Sequence, residues 1–380
     1  MWHRTSSELY RRLKNRFGPT SGFARWLTIG FLTMCAFILT MIALPDYSTI
    51  DSYAQQDSQS SMTDFYERAA AHSGVALLDT TVTVIAIDDC SHDDIGEVLD
   101  LVSDCQPKAI GLDIMFYSLD NDSLLKASLK NTASLLTVPV NVGERLSSQS
   151  FINSDTLPDA RFGRVDLAQE HRYVPIRHYF LSVDGKPSFV KQLAQSAGYD
   201  TRDLEETETL RYGAREFNVI SAREMLDGGY IPAEKVTDKI VLIGTINDIN
   251  DMHYTPIDND MPGIMIHAYS LSTLISGTPV KSLPPYVIYT IALLFTIATI
   301  WLCMRVDNHP YANLVSRIIP LGIIVIFIYI CYHCYNTKNL YVDFTIVLAM
   351  TASGMLCYDL YTGIPSLSKA LWRRLSKTIQ

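Results

Sequence analysis

The chain has 380 residues, of which 48% are hydrophobic and 19% are charged, and its formal net charge is −9 at pH 7. This length and hydrophobicity exclude an intrinsically disordered protein, because such chains carry too little apolar surface to form a core.

Four stretches have the length and apolar character of membrane-spanning helices, since a helix needs about 17–25 residues to cross a bilayer. They are residues 26–44, 284–304, 318–335 and 344–361. The first could also be a secretory signal peptide, but its apolar run is long and no small-x-small cleavage site follows it. We therefore expect an uncleaved anchor.

Charge is distributed unevenly along the chain. Residues 45–283 carry 18 Lys/Arg and 36 Asp/Glu, whereas the rest of the chain carries 13 and 4. Cytoplasmic loops of membrane proteins are enriched in Lys and Arg. The charges predict a basic cytoplasmic N-terminus (1–25), a basic cytoplasmic tail (362–380) and an acidic domain (45–283) outside the cytoplasmic membrane. This acidic domain argues against nucleic-acid binding.

The acidic domain alternates predicted strands and helices after a polar tether at 46–61. Strands are predicted at 82–88, 108–116, 133–140 and 238–245, and helices at 62–71, 93–104, 122–130 and 188–198. The strands are Val/Ile-rich without strict alternation, which indicates burial on both faces, as in a parallel sheet. The last strand is expected beside the first.

The segment from about 162 to 217 has a different pattern. Two extended runs meet at Asp184 and Gly185, a dipeptide typical of hairpin turns. The sequence thus predicts an α/β fold: a mostly parallel sheet with an antiparallel insertion, attached to four transmembrane helices.

Polar side chains follow three of the predicted strands. Asp88, Asp113, Asp251 and His253 are expected to meet at the carboxyl edge of the sheet, where open α/β sheets bind ligands. Oxygen ligands with an imidazole would suit a divalent cation. A small-molecule or peptide site, a purely structural cluster and a pair of acid–base carboxylates are the alternatives.

The adjacent carboxylates at 88 and 89 are expected to differ in role, because side chains alternate along a strand. We assign Asp88 to the cleft and Asp89, with Ser91, to the cap of the following helix. Cys90 and Cys105 should lie at opposite ends of that helix, about 18 Å apart, too far for a disulfide.

Several motifs in order resemble the class-two CHASE family of extracytoplasmic sensor domains. The motifs are VTVIAIDDCS, PKAIGLDIMF, RYVP, DKIVLIGT, DMHYTP and MPGIMIHAYSLSTLISG, followed by three apolar segments. The resemblance implies a bacterial sensory receptor, with its domain in the periplasm and its helices in the inner membrane. Thr255 and His267, from the last two motifs, complete the predicted ligand-binding set.

The family's domains commonly precede a catalytic output module, whereas residues 362–380 are too few for one. We therefore expect a non-enzymatic sensor that signals in trans. Its expected partners are membrane lipid and a membrane or cytoplasmic signalling protein, and a homo-oligomer is also possible. No cofactor is expected other than the divalent cation considered above. The rival hypotheses are an assembly subunit of an inner-membrane complex and an extracytoplasmic metal-dependent hydrolase.

Overall fold

The structure is a computed structural model that describes residues 22–43, 62–72, 77–116, 122–140, 152–165, 167, 174–202, 206–213, 215–277, 280–306 and 312–378. The chain forms two compact units. Ser52–Val280 is the sheet unit, and Met1–Asp51 with Lys281–Gln380 is the helical unit. The predicted polar tether, most of the predicted N-terminus and the tail's side chains lie outside the described part.

The described strands are short and lie mostly in the sheet unit. In chain order they are β1 (Leu77–Ala86), β2 (Ala109–Asp113), β3 (Leu136–Val140), β4 (Arg161–Arg164), β5 (His178–Phe180), β6 (Ser182–Val183), β7 (Lys186–Pro187), β8 (Thr207–Thr209), β9 (Arg215–Ser221), β10 (Ile240–Gly244), β11 (Met252–His253), β12 (Met261–Pro262), β13 (Lys281–Ser282) and β14 (Leu340–Tyr341).

The described α-helices are divided between the two units. In chain order they are α1 (Gly22–Ala43), α2 (Met62–Ala71), α3 (His92–Asp104), α4 (Ser123–Thr132), α5 (Phe189–Ser196), α6 (Ala222–Gly228), α7 (Gly263–Ile275), α8 (Pro285–Val306), α9 (Ala312–Lys338) and α10 (Thr345–Thr378). The sheet unit contains α2 to α7.

Six parallel strands form the main sheet, in the order β4-β3-β2-β10-β1-β9. Alternate residues of a strand point to opposite faces. Val84 on β1 accordingly packs in the core that contains α5 and α7, and Ile85 packs in the core that contains α3, α4 and α6. Helices therefore cover both faces, which explains the apolar runs in the central strands.

The predicted α/β class is confirmed, including the parallel pairing of β10 with β1. The antiparallel insertion is also observed: β5 pairs with β8, and β6 pairs with β7. Asp184 and Gly185 connect β6 to β7 with φ angles of 53° and 72°, as a tight hairpin requires. Cys90 and Cys105 are free thiols, as expected. The main-sheet strands β4 and β9 were not predicted.

In the described part of the helical unit, three helices are long and apolar enough to cross a membrane. They are Phe23–Ile42, Pro285–Val306 and Pro320–Lys338. The fourth predicted span, 344–361, lies in α10, where threonine, serine, glycine and aspartate residues reduce the hydropathy. That span therefore stays a prediction.

Helices α1, α8 and α10 approach one another at small residues. The hydroxyl oxygens of Thr40 on α1 and Ser353 on α10 lie 3.2 Å apart, within hydrogen-bond distance. A Cβ atom added at Gly354 of α10 would lie 2.7 Å from Cγ2 of Thr296 on α8. Inside a lipid bilayer the hydrophobic effect does not drive helices together, and small residues at the contact allow their backbones to pack closely.

Replacing Gly354 with leucine should therefore weaken the packing of α10 on α8. Gly322→Leu is the matched control, because Gly322 of α9 has open space around its Cα atom. We expect Gly354→Leu to destabilise the helical unit by roughly 1–3 kcal/mol, the usual cost of overpacking, with little effect from Gly322→Leu. SDS titration of the detergent-solubilised chain measures the difference. Equal stability of the two variants would contradict the close α8–α10 contact.

Candidate functional site

The candidate site lies at the carboxyl edge of the sheet, beside the end of β2. β2 and β10 are paired in register, so Asp113 at the end of β2 is level with Gly244 at the end of β10. The chain that follows β10 crosses this edge before entering α7. The edge therefore gathers side chains from separate elements, as ligand crevices of parallel sheets do.

Asp113 faces a histidine from the middle of α7. An oxygen of its carboxylate lies 3.6 Å from Nε2 of His267, which is too long for a hydrogen bond. The side chain of Asp113 is 16% exposed and that of His267 is 3% exposed. The pair is therefore largely removed from water.

His267 is fixed in its position by aromatic neighbours. Its Nδ1 atom lies 3.0 Å from the hydroxyl of Tyr179 on β5. The ring of Phe189 on α5 packs against it, with centroids 5.3 Å apart. These contacts hold the imidazole with Nε2 directed at Asp113.

Asp251 and His253 form the more exposed half of the site. Oδ1 of Asp251 is 3.2 Å from Nε2 of His253, and the Asp251 side chain is 45% exposed. A Cβ atom at Gly263 would lie 2.5 Å from Oδ2 of Asp251, so glycine is needed for this approach. Because Gly263 is the first residue of α7, the carboxylate sits at the positive end of that helix.

The four side chains Asp113, Asp251, His253 and His267 are called the polar cluster below. Burial raises the pKa of Asp113 to about 7, and the negative charge of Asp251 adds to this shift. Burial lowers the pKa of His267 to about 4, and His253 adds to this shift while Asp251 opposes it. Between about pH 4 and 7 the buried pair therefore holds one proton, on Asp113, beside a neutral His267.

Two other predicted site residues are engaged elsewhere. Oδ1 of Asp88 accepts hydrogen bonds from the backbone N–H groups of Ile246 and Asn247, at 2.9 and 2.7 Å. It thus closes the loop after β10. The hydroxyl of Thr255 is buried and bonds to the backbone of Asp258, as donor at 2.9 Å and acceptor at 3.1 Å. Thr255 stabilises a turn.

The cap of α3 is Ser91 and not Asp89. The Ser91 hydroxyl accepts a hydrogen bond from the backbone N–H of Asp94, and the Asp94 carboxylate accepts one from the Ser91 N–H. This reciprocal pair is a capping box. Asp89 lies two residues before the cap, and its backbone carbonyl accepts a hydrogen bond from Arg223.

Sequence reasoning missed Tyr179 and Gly263. Tyr179 lies within the antiparallel insertion, and no local pattern connects that segment to α7. Gly263 follows Pro262 before an apolar helix, a position where a small residue could have indicated a close approach.

The described residues contain no group of three or more His, Cys, Asp or Glu side chains arranged to hold a metal ion. A divalent cation bound by the predicted set of Asp88, Asp113, Asp251 and His253 would therefore require these side chains to move closer together. Cation binding stays a prediction.

Comparison with known proteins gives one family match. A family model described as the CHASE2 domain matches residues 31–304. No curated protein and no solved structure shows significant similarity to the chain.

Removing either member of the buried pair should expose the pH dependence of the other. In the folded domain Asp113 carries the shared proton, and in the unfolded chain His267 carries it between pH 3.8 and 6.5. Because the folded and unfolded states each bind one proton, the pair should add little pH dependence to the free energy of unfolding in that range. In His267→Gln, the remaining raised pKa of Asp113 makes folding less favourable as the pH rises from about 4 to 7. In Asp113→Asn, the lowered pKa of His267 makes folding less favourable as the pH falls from 6.5 to 4.

Over these ranges the free energy of unfolding should fall by roughly 4 kcal/mol in His267→Gln and by roughly 3 kcal/mol in Asp113→Asn, at about 1.4 kcal/mol per pKa unit. Pulse proteolysis in urea at several pH values measures the free energy of unfolding of each variant. Slopes of the same sign in both variants would contradict this account of the pair.

A second pair of variants tests the cap of α3. Ser91→Ala should cost about 1 kcal/mol of stability, because it leaves an N–H group of the first helical turn without its acceptor. Asp89→Ala should change stability by less than about 0.5 kcal/mol, as surface substitutions usually do. The same urea titration compares them, and a larger loss in Asp89→Ala would reverse the assignment.

Proposed function

The chain belongs to the CHASE2 family of sensory extracellular domains, and on this premise we propose that it is a membrane-anchored sensor whose polar cluster binds a small ligand. The observation that carries the proposal is the place of the polar cluster in the chain. Its members come from β2, from the turn before β11, from β11 and from α7. α7 is the last helix of the sheet unit before membrane helix α8. A ligand that rearranges the cluster therefore acts directly on the element that leads to the membrane.

The chemistry of the polar cluster favours a ligand with a positive charge or with hydrogen-bond donors. No described lysine or arginine lies within 4 Å of the carboxylates of Asp113 or Asp251. The carboxylate of Asp251 is partly exposed and can contact a ligand that arrives from solvent. The buried Asp113 and His267 could then form hydrogen bonds with the bound ligand. A small amine and a divalent cation both satisfy this requirement.

We propose a bacterial inner-membrane location with the sheet unit in the periplasm and both termini in the cytoplasm. The distribution of Lys and Arg supports this topology, because the basic residues flank the apolar segments outside 45–283. Three apolar helices in the described part support membrane insertion.

We propose further that the chain signals in trans and is not itself an enzyme. Its partner would be a membrane or cytoplasmic signalling protein, or a second copy, with anionic lipid meeting the basic segment 362–380. The sensory character of the family supports this role. An assembly subunit is the alternative, and it would keep its partner whatever the state of the polar cluster.

Thermal unfolding of the full chain in mild detergent tests ligand binding. The probes are Ca²⁺, Mg²⁺, Zn²⁺ and the diamine putrescine. We expect at least one probe to raise the Tm, and we expect Asp251→Asn and His267→Gln to lose that rise. Asp200→Asn is the control, because Asp200 lies in an exposed ion pair with Arg202 away from the cluster. A Tm rise that persists in both cluster variants would place the binding elsewhere.

Co-purification in mild detergent tests signalling in trans. A sensor should bring down a stoichiometric partner whose yield changes in Asp251→Asn and not in Asp200→Asn. An unchanged yield in both variants would favour the assembly subunit. Catalytic turnover of a substrate by the purified chain would contradict the non-enzymatic role.

A further inference from the structure

Helix α2, the first described helix of the sheet unit, is fastened by a buried bidentate ion pair. Nε and Nη2 of Arg177 donate to the two carboxylate oxygens of Asp64, each at 2.8 Å. The side chains are 2% and 7% exposed. A buried pair of this geometry is strongly orienting, because loss of either partner leaves an uncompensated charge away from water.

A second buried carboxylate extends the attachment. Oε1 of Glu67 lies 3.0 Å from Nε of Arg211, and Oε2 accepts hydrogen bonds from the backbone N–H groups of Tyr212 and Gly213. The N–H of Arg211 in turn contacts the hydroxyl of Thr273 on α7 at 3.4 Å. The residues that bind Glu67 therefore also contact the helix that carries His267.

A third residue connects α2 to the loop that follows β11. Nε of Arg68 donates to the carbonyl of Pro256 at 2.6 Å, and its Nη2 lies 3.3 Å from the hydroxyl of Tyr254. Tyr254 follows His253 directly, and its carbonyl accepts a hydrogen bond from the N–H of Ile176 at 2.8 Å. Ile176 precedes Arg177, which binds Asp64 of α2, so this loop contacts α2 directly through Arg68 and indirectly through Ile176 and Arg177.

We propose that α2 is the positioning element of the polar cluster: it holds the 254–256 loop and α7 in place, so that the docking of α2 and the state of the cluster depend on each other. α2 is the first described helix after membrane helix α1, as α7 is the last before α8. A change at the polar cluster would therefore alter the packing of both α2, where the chain enters the sheet unit, and α7, where it leaves. This inference rests on the proposed sensing role of the cluster.

The coupling follows from shared contacts and has a thermodynamic signature. If disturbing α2 loosens the 254–256 loop, disturbing the cluster must loosen α2, because coupling free energies are reciprocal. A helix that served only as a static anchor would respond to its own substitutions and to no others. Local opening, reported by amide hydrogen exchange, distinguishes the two cases.

The experiment is hydrogen–deuterium exchange with mass spectrometry on the full chain in nanodiscs of phosphatidylcholine and phosphatidylglycerol. Arg68→Met removes the guanidinium and keeps an apolar stem on an exposed position, so the fold should survive. Glu67→Gln removes a charge with little change of shape. Asp251→Asn disturbs the cluster. Arg202→Met is the control, because Arg202 forms an exposed ion pair with Asp200.

We expect Arg68→Met and Glu67→Gln to speed exchange about tenfold in peptides spanning 251–258, and Asp251→Asn to do the same in peptides spanning 62–71. The control should alter neither segment. If Arg68→Met changes exchange only within α2, or if Asp251→Asn leaves α2 at the wild-type rate, the proposal is overturned. No ligand is added, so this failure would leave ligand binding intact, whereas a failed ligand screen would leave the coupling intact.

Discussion

The insertion of β10 between β1 and β2 is the constraint on which the arrangement of the sheet unit depends. β10 is hydrogen-bonded to both neighbours in parallel register, so the three strands end at one edge. The chain leaving β10 must then cross that edge before it enters α7. This crossing places Asp251 and His253 beside Asp113, and α7 brings His267 back over the same edge. A late strand at the sheet's centre thus unites residues that are more than 130 positions apart.

Desolvation sets the chemistry of the polar cluster. Asp113 and His267 are both buried, and burial disfavours the charged form of each group. The pair therefore prefers one proton and no net charge, while Asp251 remains open to water at the N-terminus of α7. A neutral interior beside the accessible carboxylate of Asp251 is compatible with the proposed binding of a ligand that carries hydrogen-bond donors.

Buried charges elsewhere in the sheet unit have a different function. Two ion pairs are almost fully buried and lie within hydrogen-bond distance: Asp64 with Arg177, and Glu67 with Arg211. By contrast, Asp113 and His267 are 3.6 Å apart, too far for a hydrogen bond. The buried ion pairs contribute little net stability compared with apolar residues, but they specify one orientation of α2. In the helical unit, small residues such as Gly354 serve the same purpose by permitting one close approach. A fixed orientation of these helices is what the proposed sensing role would require.

The sequence alone determined the fold class, the central strands, the positions of the apolar helices, the family and much of the polar cluster. Local sequence patterns predict these features: Val/Ile runs for β1 and β10, helical spacing in α3, and carboxylates directly after strands. It did not predict the edge strands β4 and β9, because a half-exposed strand has a weak apolar pattern. Only the tertiary structure decided that Asp88 closes a loop while Asp113 faces His267, and that Ser91 rather than Asp89 caps α3. Side chains of the same type after neighbouring strands look alike in sequence, and their roles are set by which backbone N–H groups and which buried partners the fold brings within reach.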